Sequence, residues 1–186
     1  MKRIQLLLGA TLIFGSNLFA QDNIKSEGIN YIKMLGGALK NELKAHIKKD
    51  PSGLKALTFC TGSAKKITND VNAKLPAYAK VRRTALRVRN NKTNTPDKVD
   101  KEVMEAYKKS IAAKTFTSKD IKVIKVGDTT RVYKPLTIKK VCLKCHGTNL
   151  SPKITKVLKG AYPDDNAIGF KEGDLRGVIV AEIKKH

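Results

Sequence analysis

Ile121-Lys122-Val123-Ile124-Lys125-Val126 and Thr130-Arg131-Val132-Tyr133, set around Gly127-Asp128, decide the fold class. Both runs are rich in β-branched residues, and Gly127-Asp128 supplies the tight turn that folds one strand back on the other. Strands joined so closely run antiparallel. Working outward, Gly177-Val178-Ile179-Val180-Ala181-Glu182-Ile183 reads as a further strand, and residues 81–89 alternate in a way that predicts a strand with a strongly basic face. The rest is helical in period. Residues 23–50 repeat Ile32, Leu35, Leu39, Leu43 and Ile47 at spacings of three or four, and Asp50-Pro51-Ser52-Gly53 ends the pattern. A second helix is predicted over 54–75, stopped by Pro76, with Leu57, Cys60, Ala64, Ile67 and Val71 on its stripe. Residues 90–96 read as a polar loop, and a third helix over 97–114 carries Val103, Met104, Tyr107 and Ile111. Helices followed by hairpin-connected strands predict an α+β domain on a mostly antiparallel sheet, entered by two N-terminal helices.

The chain has 186 residues, 41% of them hydrophobic, which suits one domain and excludes a disordered basic tail. Its 3 cysteines are too few for a disulfide-stapled mini-protein. Lysine and arginine number 38 against 16 acidic residues, a net charge of +22 that invites a nucleic-acid reading. The N-terminus argues otherwise. Lys2 and Arg3 precede an apolar run over 4–14, too short to span a bilayer comfortably, and Ala20 meets the small-residue demand at a cleavage point. Residues 1–20 thus read as a signal peptide, leaving a soluble periplasmic domain over 21–186. In that compartment the positive charge favours an acidic protein partner or an anionic membrane surface, with no nucleic acid involved.

Cys142-Leu143-Lys144-Cys145-His146 carries the chemistry. Two thiols one short turn apart match the two vinyl groups of one porphyrin, and the next imidazole lies where it can ligate iron. A thioredoxin-type pair would need a βαβ context before Cys142 that is absent, and zinc would need two more ligands from Cys60, His46 and His186. The reading is therefore one covalent haem c, bound through Cys142 and Cys145 with His146 on iron. That leaves Cys60 as an odd thiol in an oxidising compartment, either a small buried hydrophobe or a second iron ligand. His46, Met34 and Met104 are the other candidates for that sixth position. Arg83 and Arg89, on one face of their predicted strand, are either solvated or set to pair with haem propionates.

Four segments together resemble the PAS-like c-type haem family, a bacterial group of small exported haem proteins and extracytoplasmic sensor domains. They are Phe59-Cys60-Thr61-Gly62-Ser63-Ala64; the basic run Arg83-Thr84-Ala85-Leu86-Arg87-Val88-Arg89-Asn90 with Asn94 and Pro96; Val141-Cys142-Leu143-Lys144-Cys145-His146-Gly147; and the segment from Tyr162-Pro163-Asp164-Asp165 through Gly169-Phe170 to Gly173-Asp174-Leu175-Arg176-Gly177. The sequence departs from the family at Ala85, where Ser is usual, and at Asn91, where Pro is usual. The resemblance implies a PAS-like antiparallel sheet flanked by helices, and Cys60 as the axial ligand opposite His146. Residues 162–165 are turn chemistry in their own right, folding over the haem motif or returning the chain to its last strand.

Iron held by both His146 and Cys60 would be six-coordinate, and thiolate donation would favour its ferric state. The expectation is a redox or small-ligand sensor. The alternative is an electron-transfer cytochrome docking an acidic partner. An enzyme ranks last, because no histidine is placed as a distal acid or base.

Overall fold

In the computed structural model, which describes residues 16–117 and 119–184, the central hairpin is β2 (Lys122–Val126) and β3 (Thr129–Thr137). Gly127 sits at φ +60°, the left-handed conformation that a two-residue hairpin turn demands. The sheet is completed by β1 (Ala79–Thr84) and β4 (Leu175–Ile183) in the order β1-β4-β3-β2, every pair antiparallel. The last strand is thus central, and the fold closes only when the chain's two ends of the sheet meet.

Alternation along β4 splits the core in two. Ile179 and Ala181 face one way with Val81 and Val132, and pack against Ile32 and Leu35 of α1 (Ser16–Lys49). Val178 and Val180 face the other way with Tyr133, and pack against Val103, Met104 and Tyr107 of α5 (Lys98–Ala112). Asp97 caps α5 by accepting from the Asp100 amide at 2.8 Å, while Asp100 accepts from the Asp97 amide at 3.2 Å. Asp100 is fully buried yet satisfied: the Arg82 guanidinium donates to it twice, at 2.9 and 3.0 Å, and the Tyr133 hydroxyl once, at 3.0 Å.

The α+β, PAS-like architecture stands, with local differences. The single helix expected over 54–75 is two, α2 (Leu54–Gly62) and α3 (Ala64–Asn72), so among the described residues three helices precede the sheet. The break falls at Gly62-Ser63, where the Ser63 amide closes α2 on the Phe59 carbonyl at 2.8 Å. The turn lets α3 reach the exposed edge of β1, where the Asn72 side-chain amide pairs with both the carbonyl and the N–H of Val81, at 2.8 and 2.7 Å. The basic strand ends at Thr84, not at residue 89. Its partner there is Val178, and the next residue of β4, Gly177, lies so close that a Cβ would overlap the Thr84 carbonyl oxygen. Ala85, the small residue in place of the usual Ser, is buried against Gly177. The polar loop contains one helical turn, α4 (Asn91–Asn94), capped by the Asn90 side chain. The helix α7 (Pro152–Ala161) was not anticipated. Of the signal-peptide reading, residues 1–15 lie outside the described part, and α1 begins at Ser16. Among the described residues no helix is long and apolar enough to cross a membrane.

Candidate functional site

The cysteine motif is wound into one short turn. A 3₁₀ turn over Lys140–Cys142 runs into α6 (Leu143–His146), and extended Gly147 stops it. Cys142 and Cys145 are three residues apart and therefore share a helical face. Neither is in a disulfide; both are half-buried and line one apolar cavity of about 280 Å³. Leu39, Leu43 and Ile47, the lower half of the α1 stripe, form its far wall together with Leu57. The periodic leucines of α1 thus serve two purposes. Ile32 and Leu35 seal the core, and the next three line the cavity.

His146 faces the same cavity. Its Nδ1 lies 2.6 Å from the Ala167 carbonyl oxygen. A carbonyl only accepts, so Nδ1 carries the proton and Nε2 keeps its lone pair. Burial, then the charges of Arg176 and Arg89, push the His146 pKa down to about 2, which keeps the ring neutral at physiological pH. The acceptor is delivered by residues 162–170, which fold over the motif. The amides of Gly169 and Phe170 donate to the carbonyls of Gly147 and His146, at 2.8 and 2.9 Å. Asp165 accepts from the Ala167 amide at 2.8 Å and from Arg89 Nε at 2.9 Å. Arg89 Nη2 donates to the Cys145 carbonyl at 2.6 Å and to that of Ala167 at 3.2 Å. Arg89 therefore ties the motif to the segment that orients its histidine.

A second, more polar cavity of about 290 Å³ adjoins the first between α3, β1 and Tyr162. Cys60, Arg83, Arg89, His146 and Arg176 line both. Cys60 comes from the last turn of α2 and is half-buried; burial raises its pKa, while Arg83 and Arg89 pull it back. The Arg83 side chain projects from β1, and its guanidinium makes no hydrogen bond or ion pair among the described residues. Arg83 and Arg89 do not share a strand face, because Arg89 lies five residues beyond the end of β1 and reaches the site from a loop. Two participants were not anticipated. One is Asp165, hidden in turn-like sequence. The other is Arg176, whose burial beside Arg89 and Arg83 pushes its pKa down to about 10.

The rival ligand candidates lie elsewhere. His46 stacks on Phe59 at 4.9 Å and lines neither cavity, Met104 is buried on α5 against the opposite face of the sheet, and Met34 is exposed. Among the described residues no group of three or more His, Cys, Asp or Glu side chains is arranged to hold a metal ion.

Comparison with known proteins bears on the whole domain. The family model described as Tll0287-like matches residues 17–183. A search of curated proteins returned no match. Among solved structures, the crystal structure of the cyanobacterial heme-protein Tll0287 aligns with a TM-score of 0.56 at 16% identity, covering 92% of this chain and 98% of that one. At that identity the likeness speaks for the fold, and it extends over nearly all of both chains.

Proposed function

We propose that this chain, which belongs to the Tll0287-like family, is a haem protein that holds one haem c through Cys142 and Cys145 and ligates its iron through His146 and Cys60. The observation that carries the reading is one apolar cavity walled by all four of these side chains. The structurally similar Tll0287 is a heme-protein, and the residues here suit the same group. Bound haem supplies one-electron iron chemistry and a binding position for small ligands. The chain's own residues do the rest. Cys142 and Cys145 would hold the porphyrin, one thioether each. His146 offers the lone pair on Nε2, with Nδ1 fixed on Ala167. Cys60 offers a soft donor from the α2 side; burial raises its pKa, and Arg83 and Arg89 offset part of that rise. The unpartnered guanidinium of Arg83 is the first choice for a propionate, with Arg89 beside it in its brace to Asp165.

The role that follows is redox or small-ligand sensing. Cys60 stands two residues before the Gly62-Ser63 break, so a change in its coordination has a ready hinge in α2 and α3. Electron transfer to an acidic partner is the second reading, favoured by a net charge of +22 that steers such encounters and could equally hold the protein to an anionic membrane surface. Both readings place the protein in the periplasm, exported by residues 1–20.

The test is electron paramagnetic resonance of the ferric protein made in a host competent for cytochrome maturation, wild type beside Cys60→Ala. A low-spin thiolate signal lost on substitution supports the reading, and an unchanged spectrum removes Cys60 as ligand. Intact-mass measurement at apoprotein mass would remove the covalent haem.

A further inference from the structure

On the other side of the sheet a separate cavity of about 510 Å³ opens between α5 and the chain over 170–177. Its apolar lining is Leu86, Met104, Ile111, Ala112, Phe170 and Leu175. Its acidic groups are already engaged. Glu105 pairs with Lys108 at 3.1 Å, and the Asp174 carboxylate accepts from the Lys171 amide at 2.7 Å. Two cations remain, Arg87 and Arg176, and neither has a carboxylate partner among the described residues. Both stand over the Phe170 ring, at 4.2 and 5.7 Å from its centroid. Arg87 Nε donates to the Asn166 carbonyl and Arg176 Nη1 to the Arg87 carbonyl, at 3.1 and 3.2 Å, so both guanidiniums are fixed in place while donors remain unused.

Two anchored guanidiniums over one aromatic ring, at the rim of an apolar cavity, offer a carboxylate site with room for a hydrophobic body. We propose that this cavity binds a small monocarboxylate with an apolar body, its carboxylate on Arg87 and Arg176 and its body on Leu86 and Ile111, above the buried Met104. Glu105 and Asp174 at the rim disfavour ligands carrying a second negative charge. Arg176 also walls the cleft between Cys60 and His146, so a carboxylate there cancels a positive charge that the cleft otherwise feels. Positive charge nearby favours the reduced, less positive iron, so cancelling it favours the oxidised form. By reciprocity the ligand binds the oxidised protein more tightly. This second half rests on the reading of His146 and Cys60 as iron ligands; the binding itself does not.

The experiment uses octanoate as probe on the purified protein in both redox states. The reporter is the methyl signal of Met104, one of 3 methionines in the chain. Octanoate should move that signal saturably, and octan-1-ol should bind about tenfold more weakly for want of a charged partner. Arg87→Gln should cost octanoate about tenfold, and Ile111→Trp, which fills the cavity, should abolish binding. The oxidised protein should bind about fivefold more tightly than the reduced. Equal binding of acid and alcohol, or octanoate binding that survives Ile111→Trp, would overturn the site and show mere attraction to a basic surface. Equal affinities in the two redox states would overturn the coupling. A colourless protein that still bound octanoate would leave the cavity assigned and the haem reading refuted.

Discussion

Asp165→Ala should loosen the histidine of the motif without touching it. Asp165 and Arg89 have side chains only 8% and 10% exposed, so their contact at 2.9 Å is a buried ion pair. Removing one partner from such a pair costs about 3–5 kcal/mol, because the other charge stays buried. Arg89 would keep the Cys145 and Ala167 carbonyls as acceptors, which places the cost near the lower end, about 3 kcal/mol. The Ala167 amide also loses its acceptor, a further loss of about 1 kcal/mol. Arg89→Ala attacks the same brace from the other side. The double variant should therefore lose less than the sum of the singles, with an interaction of about 2 kcal/mol. Urea denaturation of the three variants measures this. The functional readout is the midpoint potential. A freer Ala167 carbonyl holds the Nδ1 proton less firmly, the imidazole becomes a poorer donor, and the potential rises. A loss under about 1 kcal/mol with an unmoved potential would show that residues 162–170 merely cover the motif.

Asp100→Ala strips the buried carboxylate that answers Arg82, Arg131 and Tyr133, and should cost about 3–5 kcal/mol in urea titrations. Gly28→Ala should destabilise by about 1–3 kcal/mol despite better helix propensity, because the new Cβ would lie 2.5 Å from a methyl of fully buried Val132. Asp97 is half-exposed; partial burial works against its charge, but the Asp100 amide and Arg131 hold its pKa below the usual carboxylate range. A lowered pKa adds stability above the unfolded value, near 3.9, that is lost as pH falls through the folded one. The gap in denaturation midpoint between wild type and Asp97→Asn should therefore be constant from about pH 8 to 5 and close below about pH 4.

What could be read from the chain follows the range of the interactions. The Gly127-Asp128 hairpin, the Asp97 cap and the motif at 142–146 rest on neighbours in sequence, and they fold as their residues dictate. Leu86 and Val88 alternate as a strand would, but β1 ends before them because β4 offers only Gly177 at that level, a partner nearly a hundred residues away. The stripe from Leu57 to Val71 is continuous across Gly62-Ser63, and the turn there is imposed by Asn72 docking on β1. Helix α7 had a local signature, Ser151 accepting from the Ile154 amide ahead of Pro152, with Ile154 and Leu158 on one face. Asp165 and Arg176 had none, since their meaning arises only when residues 162–177 fold across the cysteine motif.

Arg82 and Arg83 show why residue type alone does not separate scaffold from site. They are adjacent on β1, so the pleat sends them to opposite faces of the sheet. Arg82 meets Asp100 and Glu182, and its charge is answered within the protein. Arg83 meets the cleft and is answered by nothing described there. Arg131 and Arg89 belong with Arg82, each paired to a carboxylate; Arg87 and Arg176 belong with Arg83. Removing a paired arginine strands a buried carboxylate and acts on folding. Removing an unpaired one relieves repulsion between neighbouring cations, so Arg83→Gln should leave stability nearly unchanged while weakening whatever anion the cleft receives. The arginines without carboxylates converge around Phe170 and Cys60, which is where this fold has charge to spare for a ligand.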